Sequence, residues 1–222
     1  MSFPYDDVID LIDRAARSAE DGATVSARMQ LAQARQLIDT GLRDGEHPPT
    51  RRVYLDCEFL PGLTTPAGLI SIGLTDDRGR DYYAVNGEMD CVSVFSDPFL
   101  QQHVLPFVPK VPSKDEVDWA CPEVKSLGQI RRDVAAYFDT DADTVLYAFY
   151  GAADLMRLHS LWGHNWQVMP ASVPRWLDDL KALAVRAGSP SMPQQQVGEH
   201  HALEDARYNR TMHEALIALG AG

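Results

Sequence analysis

Two carboxylates two positions apart on an apolar stretch have a spacing that suits chemistry. The stretch is Arg51-Arg52-Val53-Tyr54-Leu55-Asp56-Cys57-Glu58-Phe59-Leu60. Its Val, Tyr, Leu and Phe residues suit a pleated, half-buried surface, so it reads as a β-strand. Side chains alternate faces along a strand. Asp56 and Glu58 therefore share one face, and Leu55, Cys57 and Phe59 share the other. Like charges so placed repel each other. Hard divalent ions such as Mg²⁺ or Mn²⁺ take oxygen ligands of this kind and would relieve the repulsion. The competing reading is a solvent-facing edge strand whose polar face carries both acids.

Further carboxylates stand in contexts that bear on the choice. Val145-Leu146-Tyr147-Ala148-Phe149 is almost all apolar, as expected of a strand buried on both faces. Gly151-Ala152-Ala153 follows, and Asp154 then lies in the first turn of a helix continued by Leu155, Leu158, Leu161 and Trp162. The helix dipole alone favours a carboxylate there. The small residues before it let another strand or a substrate approach closely. Farther on, a polar Pro- and Gln-containing loop over 188–198 ends at His200-His201-Ala202-Leu203-Glu204-Asp205-Ala206, which opens a last helix running to about Ala218.

The remaining elements position these groups. After a break at Pro61–Gly68, Leu69–Thr75 and Asp81–Val85 read as second and third strands joined by the turn Asp76-Asp77-Arg78-Gly79, making an antiparallel meander. A short helix is expected over Asp97–Leu105, a Pro-rich surface excursion over Pro106–Pro122, and an amphipathic helix over Val124–Phe138. Residues around Val168 suit a short fifth strand, and Val173–Val185 a helix with Pro174 in its first turn. Residues 1–50 read as a separate helical hairpin, with apolar stripes Val8 to Ala16 and Val25 to Ile38, capped at Thr24 or Ser26, ended at Gly41 and followed by a linker over 43–49. Such a hairpin cannot bury both stripes on itself, so it should pack on the main domain, residues 51–222, or on another subunit.

The chain has 222 residues, room for one domain with a sizeable core and an appendage. Its formal net charge of −12 counts mildly against a nucleic-acid ligand, although carboxylates at a metal site add to that sum and are offset when ions bind. The three cysteines, Cys57, Cys91 and Cys121, are scattered and odd in number. They form neither a metal-ligand spacing nor a disulfide framework, which points to a reducing cytoplasm. The acidic N-terminus does not read as a signal peptide, and no apolar run spans a membrane.

Taken in order, the acidic motifs resemble the DEDDh group of 3′–5′ exonucleases, built on the ribonuclease-H-like fold. Asp56 and Glu58 match its first motif, Asp154 its second, and His200-x-x-x-x-Asp205 its third. The resemblance extends to the bacterial RNase AS type of exoribonuclease. It is carried over about residues 52–217 by Leu69-Ile70-Ser71-Ile72-Gly73, Tyr82-Tyr83-Ala84-Val85, His103-Val104-Leu105-Pro106, Gly151-Ala152-Ala153-Asp154, Leu161-Trp162-Gly163, Val173-Pro174-Arg175 and the segment His200–Ala206.

The resemblance implies an α/β fold with a mixed five-stranded sheet, order 3-2-1-4-5, flanked by helices. It also implies two divalent ions, Mg²⁺ or Mn²⁺, that cleave single-stranded RNA 3′ ends to nucleoside 5′-monophosphates. Asp56 would bridge both ions, Glu58 and Asp205 would complete the first, and Asp154 would hold the second. His200 would serve as general base. His201 has the offset of the related tyrosine-type pattern and is expected to face away; the other histidines read as structural. A preference for adenylate-containing RNA and a homodimer are further implications, and Phe59 is a candidate to stack a base, with core packing as its alternative. A DNA exonuclease with the same site and a non-catalytic nucleic-acid-binding module are the competing readings.

Overall fold

The computed structural model describes residues 5–20, 27, 31, 34 and 50–220. The chain divides into two compact units, Met1–Pro49 and Thr50–Gly222. In the first unit, α1 spans Tyr5–Glu20. Its buried face includes Leu11 and Ala15, while Ile12 of the same stripe is exposed. Residues 27, 31 and 34 are helical. The hairpin turn, its expected caps at Thr24, Ser26 and Gly41, and the linker lie outside the described residues.

The second unit is built on a six-stranded mixed sheet, compatible with a ribonuclease-H-like fold. Its strands are β1 (Arg51–Phe59), β2 (Leu69–Asp76), β3 (Asp81–Asn86), β4 (Val124–Lys125), β5 (Thr144–Ala148) and β6 (Asp178–Asp179), in the order β4-β3-β2-β1-β5-β6. The meander of β1, β2 and β3 is antiparallel, and β5 joins β1 in parallel. The helices of this unit are α2 (Cys91–Ser96), α3 (Pro98–His103), α4 (Leu127–Phe138), α5 (Ala152–Ser160), α6 (Leu180–Arg186) and α7 (Ala202–Ala218).

Three sequence expectations are corrected. The sheet has six strands rather than five, because Val124 and Lys125 pair with Val85 and Asn86 before the helix starts at Leu127. No strand forms around Val168; the outer strand is Asp178–Asp179, paired with Tyr147 and Ala148. The helix expected over Val173–Val185 spans only Leu180–Arg186, capped by Asp179. Pro174 is drawn elsewhere: its carbonyl accepts from His159 Nε2 at 2.9 Å.

The core forms on the face of β1 that carries Val53, Leu55 and Cys57, against Ile130 and Val134 of α4 and Leu158 of α5. The other face carries Tyr54, Asp56 and Glu58 and meets α7, where Tyr54 Oη lies 3.0 Å from His213 Nδ1. A glycine sets how close α7 comes. A Cβ on Gly73 of β2 would fall 2.2 Å from the Ala202 carbonyl oxygen, in the first turn of α7. Gly73 pairs with Asp56 across the β1–β2 ladder, so the missing side chain lets the helix start over that acid.

No helix among the described residues is long and apolar enough to cross a membrane.

Candidate active site

Strand β1 outruns its parallel neighbour. The β1–β5 pairing ends at Tyr54 and Tyr147, yet β1 continues to Phe59. Backbone groups of alternate residues on that edge then need other partners. Asn209 Nδ2 of α7 donates to the Leu55 carbonyl at 3.1 Å, and Asp154 Oδ1 of α5 accepts from the Cys57 amide at 2.9 Å. The acid that opens α5 is thus fastened to the strand that carries the first two.

Asp205 is fixed in the first turn of α7. Its Oδ2 accepts from the His200 amide at 2.9 Å and its Oδ1 from Gln195 Nε2 at 2.6 Å. The chain reaches it through a tight turn. The His201 amide donates to the Gly198 carbonyl at 2.9 Å, with left-handed φ values of +73° at Gly198 and +68° at His200. This turn places His200 Nδ1 3.9 Å from Glu58 Oε1, and the His200 ring 5.3 Å from the rings of both Phe99 and His103. That spacing is too long for a direct hydrogen bond and suits a bridging water.

Asp56, Glu58, Asp154, His200 and Asp205 therefore line one cleft of about 440 Å³ together with Phe59. Phe59 also packs on the core, and the buried Arg157 guanidinium lies 4.5 Å above its ring. His201 is elsewhere: its ring stacks on Tyr83 at 4.3 Å and meets Phe107 edge-on. Gln195, Asn209 and Tyr150 also line the cleft, and His103 touches it through His200. Sequence reasoning missed Gln195, Asn209 and Tyr150. Gln195 sits in a polar loop with no periodicity, and Asn209 and Tyr150 show no spacing that sets them apart.

The electrostatics follow from the crowding of acids. Burial pushes Asp56 well above the ordinary carboxylate range, and the charges of Asp154, Asp205 and Glu58 add to it. Glu58 is pushed up to about 8 by burial, then by Asp205 and Asp154. Burial raises Asp154 to about 7, although the Cys57 amide, its own amide and Arg157 oppose the rise. Asp205 is also raised by burial, against the pull of Gln195 and the His200 amide. Four carboxylates that resist ionising together call for added positive charge. Ligand atoms of Glu58, His200 and Asp205 lie within 4.8 Å of one another. The donor set is mainly hard oxygen, which fits Mg²⁺ or Mn²⁺.

No protein-family model matches the chain. Two curated proteins of Mycobacterium tuberculosis, from strains CDC 1551 / Oshkosh and H37Rv, are each named 3′–5′ exoribonuclease. Each is 37% identical to this chain over 158 residues, which are 70% of this chain and 87% of the relative. The matched span is long enough, and the identity high enough, to fix kinship: the chain belongs to the 3′–5′ exonuclease family of these two proteins.

Proposed function

We propose that the protein is a metal-dependent 3′–5′ exoribonuclease of the DEDDh group and RNase AS type. It removes nucleoside 5′-monophosphates from single-stranded RNA 3′ ends in the cytoplasm, with a preference for adenylate-containing RNA. The observation that carries this reading is the convergence of Asp56, Glu58, Asp154 and Asp205, from three separate elements, on one cleft beside His200. The names of the two relatives support RNA as the substrate.

Asp56, Glu58, Asp154 and Asp205 would hold two divalent ions. Such ions, when bound, activate the attacking water and stabilise the leaving 3′-oxygen. The chain's own residues do the rest. Asp56 feels the charges of the other three acids, which add to the effect of its burial. The Cys57 amide orients the Asp154 carboxylate, and Gln195 and the His200 amide orient Asp205. His200 Nδ1, held near Glu58, accepts the proton of the attacking water. A homodimer is part of this reading, and sedimentation velocity would test it.

The test of the activity is a gel assay on 5′-labelled single-stranded RNA with Mn²⁺, beside the matching DNA and an EDTA control. A metal-dependent ladder shortening from the RNA 3′ end is expected, and Asp56→Ala should abolish it while leaving the fold intact. Shortening of the DNA alone would overturn the substrate, and full activity in Asp56→Ala would overturn the mechanism.

A further inference from the structure

The rim of the cleft carries an aromatic ring whose conformation the core does not require. Tyr150 lines the cleft beside Asp154 and is 64% exposed. Its backbone is left-handed, with φ +54°, which a bulky residue adopts at a cost and which clusters at functional sites. Two contacts hold it there. The Asp179 carboxylate accepts from the Gly151 amide at 2.9 Å and from the Ala182 amide at 2.8 Å, tying the turn after β5 to the start of α6. Gly151 itself is closely packed: a Cβ there would meet Ala148 and Leu177 at 2.7–2.9 Å. The turn is thereby locked with Tyr150 projecting from it, its ring 4.8 Å from Phe149 and edge-on to it.

A cation stands beside the ring. Lys181, in the first turn of α6, places Nζ 5.8 Å from the Tyr150 ring centre and 6.0 Å from that of Phe149. Among the described residues it forms no ion pair, although carboxylates crowd the cleft and the chain carries a net charge of −12. An exposed aromatic face next to an unpaired ammonium is the combination that binds single-stranded nucleic acid, with a base on the ring and a phosphate on the cation. The buried carboxylates claim the 3′ end of a strand entering the cleft. The solvent-open rim is then left for nucleotides that precede it.

We propose that Tyr150 and Lys181 form a sequence-tolerant subsite for a nucleotide at least two positions on the 5′ side of the scissile bond, upstream of the penultimate one, Tyr150 stacking its base and Lys181 pairing with its phosphate. This inference rests on the exoribonuclease reading and deepens it.

The test is steady-state hydrolysis by the full chain with Mn²⁺, using an eight-nucleotide RNA and a dinucleotide. Tyr150→Ala should raise KM for the longer RNA by roughly 5- to 160-fold, the range of one base–aromatic stack, with kcat within about twofold. Tyr150→Trp should restore KM, and the dinucleotide should respond little. Lys181→Gln should flatten the logarithmic dependence of KM on salt by about 0.7, the share of one phosphate contact on a single strand. An unchanged KM in Tyr150→Ala, with active parent protein, would overturn the subsite and leave the parent activity standing. An equal loss on the dinucleotide would overturn the placement upstream of the penultimate nucleotide. A changed sedimentation coefficient in Tyr150→Ala would assign the ring to a subunit contact instead. Parent protein inactive on RNA would remove both this inference and the activity beneath it.

Discussion

Replacing Gly73 with alanine should push the start of α7 away from the sheet. The new Cβ would lie 2.2 Å from the Ala202 carbonyl oxygen, 2.3 Å from its carbon and 2.4 Å from the Leu203 nitrogen. All three are backbone atoms, so no side-chain rotation relieves the clash. Ordinary contact begins near 3.4 Å, so the first turn of α7 must retreat by about 1 Å in a closely packed interior. Overpacking of this kind costs about 1–3 kcal/mol. An alanine in an unobstructed strand should instead gain roughly 0.5–1 kcal/mol over glycine, so the sign of the change is itself diagnostic. Asp205 rides on the same turn, and a misplacement of about 1 Å lowers turnover by roughly 100-fold. Urea unfolding in EDTA reads the first effect, and kcat on single-stranded RNA with Mn²⁺ reads the second. A Gly73→Ala protein at least as stable as the parent, with unchanged kcat, would refute the close approach and its role in placing Asp205.

Two further outcomes follow from the charges. Asp56→Asn removes one of four mutually repelling carboxylates, so it should raise the melting temperature in EDTA by about 2–4 °C, the equivalent of roughly 1 kcal/mol. It should also abolish the stabilisation that Mn²⁺ gives the parent; scanning fluorimetry showing equal Mn²⁺ stabilisation in both proteins would contradict the proposed ligand role. Asp76 is buried, which alone would raise its pKa, but the Arg80 amide, the Arg51 guanidinium at 2.9 Å and the Arg78 amide hold it below the usual carboxylate value. A depressed carboxylate contributes stability that is present above its unfolded pKa and lost as pH falls through its folded pKa. Asp76→Asn should therefore cost about 3 kcal/mol near neutrality, and its deficit should shrink below about pH 4. A deficit equal at neutral and acid pH in urea titrations would count against that assignment.

The parts of this structure that the sequence made legible are those with a period. Alternation along β1 separated the acids from Leu55, Cys57 and Phe59, and the structure puts Leu55 and Cys57 in the core, Phe59 between core and cleft, and Asp56 and Glu58 in the cleft. The apolar run before Asp154 marked β5 for the same reason. The two-residue strands β4 and β6 were illegible, because two residues have no periodicity and their pairing is decided by neighbours far along the chain. The helix expected from Val173 shrank to α6 because tertiary contacts, such as His159 with the Pro174 carbonyl, outweigh local propensity. Gln195 stood in a segment that reads as an unstructured polar loop, yet it donates to Asp205. The role of Gly73 was equally hidden, since only the position of α7 shows what its missing Cβ makes room for.

The bond from the Cys57 amide to Asp154 has a consequence for how variants at the site should be interpreted. Beyond Tyr54, the side of β1 that faced β5 has no strand beside it, so its buried backbone groups need other partners. Asp154 occupies the Cys57 donor on that edge, and Asn209 the Leu55 acceptor. Asp154 therefore satisfies a buried backbone donor of the strand as well as being a member of the acidic cluster. Truncating it to alanine would leave the buried Cys57 amide without its partner, at a cost of about 1–3 kcal/mol, so the stability of an inactive Asp154→Ala preparation has to be measured before its loss of activity is assigned to chemistry. Asp56, whose side chain does not hold that amide, is the cleaner position for separating catalysis from stability.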